Sequence, residues 1–101
     1  MNAGPTSSGD EVHPGWTLLT NHGHVLVCIV RDPDILVSDI ASQVGIRERA
    51  AHRILTELIA AGYVTRTKHG RQNHYSVRND RPMRHPLERA HQIGELLRIL
   101  A

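Results

Sequence analysis

Phenylalanine is absent from the chain, and one Trp and two Tyr bring the aromatic share to only 3%. A hydrophobic core must therefore be aliphatic, built from Ile, Leu, Val and Ala. Cysteine occurs once, at Cys28, which excludes an internal disulfide and a multi-thiolate zinc site and suits a reducing cytoplasm. Placed within an apolar stretch, Cys28 reads as a small core residue. No apolar run approaches the ~18 residues that a membrane span requires, and no signal-peptide core is evident, so no membrane partner is expected. Also missing are a phosphate-cradling glycine loop, a nucleophile elbow and a pair of carboxylates in a plausible cleft. No enzyme activity, cofactor or small-molecule ligand is expected from such a chain. Eight histidines are present, with His22, His24, His69 and His74 closest to a cluster. No segment sets four ligands at the usual metal spacing, so no metal is expected.

Charge is present but unevenly placed. The net charge is +2 over 101 residues, enough chain for one domain with one core. Residues 1–45 hold one basic and five acidic side chains, whereas residues 46–86 hold nine basic and three acidic. The middle of the chain thus carries a net +6 beneath a nearly neutral total. Concentration of this kind is the footprint of a nucleic-acid surface more than of general solvation.

Residues 1–15 begin MNAGPTSSGDEVHP, rich in Gly, Pro and Ser and poor in apolar side chains, and read as a disordered leader. Thr20 can cap a first helix running through Val25, Leu26, Cys28, Ile29 and Val30 to about Arg31. Asp32-Pro33-Asp34 breaks it. Ile35-Leu36-Val37 then reads as a short β-rich run, and Ser38 as the N-cap of a brief helix over Asp39 to Val44. After Gly62 the period changes. Tyr63, Val64, Thr65 and Thr67 on one side of Gly70, and Tyr75 and Val77 on the other, predict an antiparallel hairpin over about 63–77. Residues 78–86 are a charged, proline-bearing connector. Pro86 can open a last helix, in which Ala90, Ile93, Leu97 and Leu100 recur at helical spacing and Leu96 widens the stripe.

Residues 45–63, GIRERAAHRILTELIAAGY, predict a helix over about 47–61. Ala50, Ala51, Ile54, Leu55, Leu58 and Ala61 fall on one stripe, and Arg49, His52, Arg53 and Thr56 on the opposite side. Gly62 supplies a left-handed stop. Arg47 and Arg49 are out of place at the positive end of the helix dipole, where a cation costs up to about 1 kcal/mol. Arg49 and Arg53 add a like-charge i,i+4 pair costing about 0.2–0.5 kcal/mol. A solvated polar face leaves both costs unrepaid, whereas phosphates or guanine edges of a bound duplex would offset them.

The succession helix, short strand, helix, tight turn, helix, hairpin is that of a winged helix-turn-helix domain. Within it, DIASQVGIRERAAHRIL, residues 39–55, resembles the helix-turn-helix signature. Ala41 stands where a small residue is wanted, Gly45 lies in the turn, and Ile40, Val44, Ile46, Ala51 and Ile54 lock the helices. AGYVTRTKHGRQNHYSV, residues 61–77, resembles the wing of MarR-like and ArsR-like bacterial regulators. Two residues depart from the pattern: Ala51 where a larger β-branched residue is usual, and Arg47 where Ser or Thr often caps.

The resemblance covers about residues 16–78 and implies a mainly α fold with a small β-hairpin, α+β in class. It implies a transcriptional regulator that reads double-stranded DNA in the major groove through Arg47, Arg49, His52, Arg53 and Thr56. Arg66, Lys68, His69, Arg71 and Asn73 would then form a wing on the adjacent backbone or minor groove. Residues 79–101, linker plus helix, have two readings. Ala90, Ile93, Leu96, Leu97 and Leu100 pair with a second copy, since so short a helix is unstable alone, or they pack back on the first helix. Pairing is the reading adopted, giving a homodimer on a two-fold symmetric site, cytoplasmic and nucleoid-associated. The alternative function is a winged helix that binds a protein partner without specific DNA binding, although its third helix lacks the aromatic and aliphatic anchors such surfaces use.

Overall fold

A computed structural model describes residues 15–101; of the expected leader, all but Gly15 lies outside the described residues. The first helix, α1 (Asn21–Arg31), starts where the Thr20 side chain accepts a hydrogen bond from the Gly23 amide at 3.4 Å. It ends at Arg31, with Asp32 as the C-cap immediately before Pro33. Val25, Leu26, Cys28 and Ile29 face inward, and burial pushes the Cys28 thiol pKa up, as befits a core cysteine.

The second helix, α2 (Val37–Val44), corrects two expectations. Ile35-Leu36-Val37 forms no strand, and Ser38 lies inside the helix, whose cap is Leu36. A β-branched run becomes a strand only if a partner takes up its backbone. Here the bond to the hairpin is made upstream, from the Tyr75 amide to the Pro33 carbonyl at 2.8 Å, while Ile35 uses its side chain as a core residue.

Gly45, at φ 85°, turns the chain into α3 (Glu48–Ala60), and Gly62, at φ 84°, turns it out again. Both positions lie in the left-handed region that a residue without Cβ adopts freely. Helix α3 is one residue shorter at each end than the sequence predicts, so Arg47 is its N-cap. Ala51, completely buried, sits in the face that packs against α1 and α2.

Strands β1 (Val64–His69) and β2 (Gln72–Val77) pair antiparallel from Val64↔Val77 to His69↔Gln72. The two-residue connection is Gly70-Arg71, with only the glycine at positive φ, 67°. That is the pattern of a II′ hairpin turn.

Beyond the wing the structure differs from expectation. Pro86 and Ala90 lie in an irregular segment, with Ala90 exposed, and the last helix, α4, spans only Ile93–Leu100. Its start is set by a capping box in which Gln92 and Glu95 satisfy each other's backbone amides. Upstream, Met83 N to His91 O (2.9 Å) and Ile93 N to Arg81 O (2.9 Å) clamp the connector against the helix start, which leaves residues 84–91 as a loop. The apolar stripe also divides. Ile93 and Leu97 are buried in this chain's own core where α4 packs on α1, while Leu96 is half-buried and Leu100 is exposed.

Gly94 is required by contact, not by φ. Its amide donates to Asn79 O at 3.0 Å, and a Cβ there would stand 2.7 Å from Asn79 Cβ and 2.8 Å from Asn79 O. Gly94→Ala should therefore cost about 1–3 kcal/mol of stability, read as a lower urea denaturation midpoint. An unchanged midpoint would mean that the 79–80 turn yields at no cost.

Among the described residues, four helices and one antiparallel hairpin thus make an α+β winged helix followed by a C-terminal helix. The core joins α1, α2, α3, Ile35, the wing base at Tyr63, Val64 and Tyr75, and α4. No helix among the described residues is long and apolar enough to cross a membrane.

Candidate nucleic-acid interface

Helix α3 turns Ala51, Ile54, Leu55 and Leu58 into the core. The 3.6-residue period then forces Arg49, His52, Arg53 and Thr56 outward, and all four are exposed. Arg47 is exposed beside them at the N-cap. A guanidinium has donors only, so this cap satisfies none of the first-turn amides; among the side chains there, only Glu48 favours the dipole.

The exposed charges fall into two groups. Among the described residues, Arg47 and Arg49 make no ion pair, whereas Arg53 Nη1 lies 3.5 Å from Glu57 Oε2 and His52 Nε2 lies 3.8 Å from Glu48 Oε2. Thr56 donates its hydroxyl to the His52 carbonyl at 3.0 Å. Glu57 also bonds His22 Nε2 of α1, at 2.7 Å through Oε1. This hydrogen bond, aided by the Arg53 charge, holds the Glu57 carboxyl below its ordinary pKa.

In the wing, the pleat separates the expected contacts. Arg66 and Lys68 share the face of Val64, Asn73, Tyr75 and Val77, whereas His69 shares the other with Thr65, Thr67, Gln72, His74 and Ser76. Arg71 stands at the turn itself, and Arg66, Lys68, His69 and Arg71 are all exposed. Asn73 is half-buried, its Oδ1 enclosed without a hydrogen-bond partner among the described residues, so it is the member least available to a ligand.

The outer half of the wing is braced by contacts that the sequence does not signal. His74 Nδ1 meets Asp34 Oδ1 at 2.7 Å, and the His69 ring stacks on His74 with centroids 5.0 Å apart and planes 17° from parallel. With the Tyr75 to Pro33 backbone bond, these contacts tie the hairpin to the turn after α1. Partners 35 and 40 residues apart, as His22–Glu57 and Asp34–His74 are, carry no local signal in sequence.

Among the described residues, α1, the end of α3, the 83–88 segment and α4 border a half-open cavity of about 340 Å³. Leu26, Leu58, Tyr63 and Leu97 line it, and His22 and Glu57 form part of its polar rim.

A model of the MarR family matches residues 19–71, from the approach to α1 through the wing turn. No curated protein matches the chain. The matched span takes in the helix-turn-helix and the tip of the wing, and the chain belongs to the MarR family of transcriptional regulators with a DNA-binding winged helix.

Proposed function

We propose that the protein is a sequence-specific regulator of transcription that binds duplex DNA. Helix α3 enters the major groove, presenting Arg47, Arg49, His52, Arg53 and Thr56, and Arg66, Lys68, His69 and Arg71 of the wing meet the neighbouring backbone or minor groove. The carrying observation is the start of α3, where Arg47 and Arg49 stand exposed at the unfavourable end of the dipole and, among the described residues, in no ion pair. Phosphates and guanine O6/N7 acceptors supply what the fold does not. In this reading the protein acts in the bacterial cytoplasm, at the nucleoid, and blocks or repositions polymerase by occupancy.

Dimerisation belongs to the same proposal, on a revised surface. Ile93 and Leu97 are spent on the core, so pairing falls to Leu96, Ile99 and Leu100 of α4 with Leu87 of the preceding loop; Leu87 and Ile99 are 89% and 81% exposed. A dimer places two copies of α3 on half-sites about one helical turn apart.

Selection from a randomised duplex library at about 150 mM salt tests the proposal. The expected outcome is an enriched two-fold symmetric sequence whose affinity falls steeply with salt. No enrichment together with weak binding to bulk DNA would overturn it, and would assign the basic face to a protein partner.

A further inference from the structure

Glu57 joins two residues that the helix-turn-helix pattern alone would never connect. Its Oε1 is held by His22 of α1 at 2.7 Å and its Oε2 faces Arg53 at 3.5 Å. On α3 the arginine precedes the glutamate by four residues, the weaker order for an i,i+4 pair. An exposed pair of this kind would by itself constrain the guanidinium little. The bond from α1 changes this, because a carboxylate fixed at one oxygen presents the other in a set direction. Arg53 has five N–H donors, and holding Glu57 with one leaves the outer edge of the guanidinium for a second acceptor. Bidentate reading of a guanine needs that plane held, since the discrimination lies in two parallel bonds. Arg49, one turn earlier on α3, has no such carboxylate brace among the described residues.

Resting on the DNA-reading role proposed above, we infer that Glu57, anchored by His22, is a positioning residue that sets the sequence discrimination of Arg53. Glu57 also places a negative charge on a face that approaches phosphates. Its removal therefore has two opposite effects: the Arg53 guanidinium is released, which lowers discrimination, and a repulsion is relieved, which raises affinity for any duplex. A residue that served only to stabilise the fold would move both affinities downward together with the melting temperature.

The experiment measures affinity for the selected sequence and for bulk DNA in the full chain and in Glu57→Gln, His22→Gln, Arg53→Ala and Glu57→Gln/Arg53→Ala, with thermal denaturation of each. Glu57→Gln should lower the specific-to-bulk ratio by about tenfold while bulk affinity rises. His22→Gln should lower the ratio in the same direction and by less. In the Arg53→Ala background, Glu57→Gln should produce no further loss of ratio. If Arg53→Ala relaxes the ratio and Glu57→Gln does not, or if Glu57→Gln lowers the ratio equally with and without Arg53, the positioning role is wrong and the DNA-reading role stands. If Arg53→Ala itself leaves the ratio unchanged, or the parent chain shows no preference, the base-reading assignment fails and this inference with it.

Discussion

Tyr75→Ala should destabilise the domain by about 3–5 kcal/mol, a large part of the 5–15 kcal/mol that holds a small domain folded. Tyr75 is 1% exposed and has the largest of the fully buried side chains, in a core without phenylalanine. The rest of the core is mostly Ile, Leu, Val and Ala, with Cys28 and Tyr63, and a packed core of this kind does not collapse into the space of a ring, so the cavity remains largely open. The same residue carries the backbone bond from β2 to Pro33 at 2.8 Å, and β2 packs on α1. Loss of the ring therefore loosens the wing from the helices as well as emptying the core. Thermal denaturation should show the midpoint falling by about 20 °C. Tyr75→Phe keeps the ring and should cost less than about 1.5 kcal/mol. Equal losses in the two variants would locate the effect in the hydroxyl and refute the packing argument.

The parts of this fold legible in the sequence are those decided locally. Thr20 caps α1, Gly45, Gly62 and Gly70 take positive φ, and the stripe Ala51, Ile54, Leu55, Leu58 faces the core, because each depends on a residue's own conformational freedom or on helical period. Where a distant partner decides, local propensity is overridden. Residues 35–37 have strand-forming side chains and still form no strand, since β2 reaches back to Pro33 instead. Ala90 fits the spacing of Ile93 and Leu97 yet lies outside α4, because the clamp between 81–83 and 91–93 and the Gln92–Glu95 box set the helix start. A capping box that begins with glutamine, not Ser or Thr, is a weak sequence signal.

The candidate site divides in the same way. Exposure of Arg49, His52, Arg53 and Thr56 follows from helical period, and the exposed turn at Gly70-Arg71 follows from hairpin chemistry. The contacts of Glu57 with His22 and of Asp34 with His74 depend on how α1 meets α3 and how β2 meets the turn after α1. Only the assembled fold brings them into view. The cavity beside α4 is hidden for the same reason, being walled by four segments distant in sequence.

Arg53→Ala should reduce affinity for the selected sequence by about 1–3 kcal/mol, roughly five- to 150-fold, while affinity for bulk DNA falls far less. The structure makes this a clean comparison. Arg53 is 62% exposed, and its only ion pair among the described residues is the solvent-exposed one with Glu57. Pairs of that kind contribute at most about 1 kcal/mol, so the variant should fold as the parent does. Arg71→Ala provides the contrast. At the wing turn Arg71 is positioned by a II′ geometry that depends on Gly70 and not on the arginine, so its removal is also tolerated structurally. A phosphate or minor-groove contact there should strengthen binding to all sequences alike, and its loss should lower the salt slope by about one unit with little change in the specific-to-bulk ratio. The pair of variants thus separates charge from reading within one fold. If both shift the slope and neither shifts the ratio, the basic face attracts DNA without reading it at Arg53, and discrimination must lie with Arg47, Arg49 or the shape of the duplex.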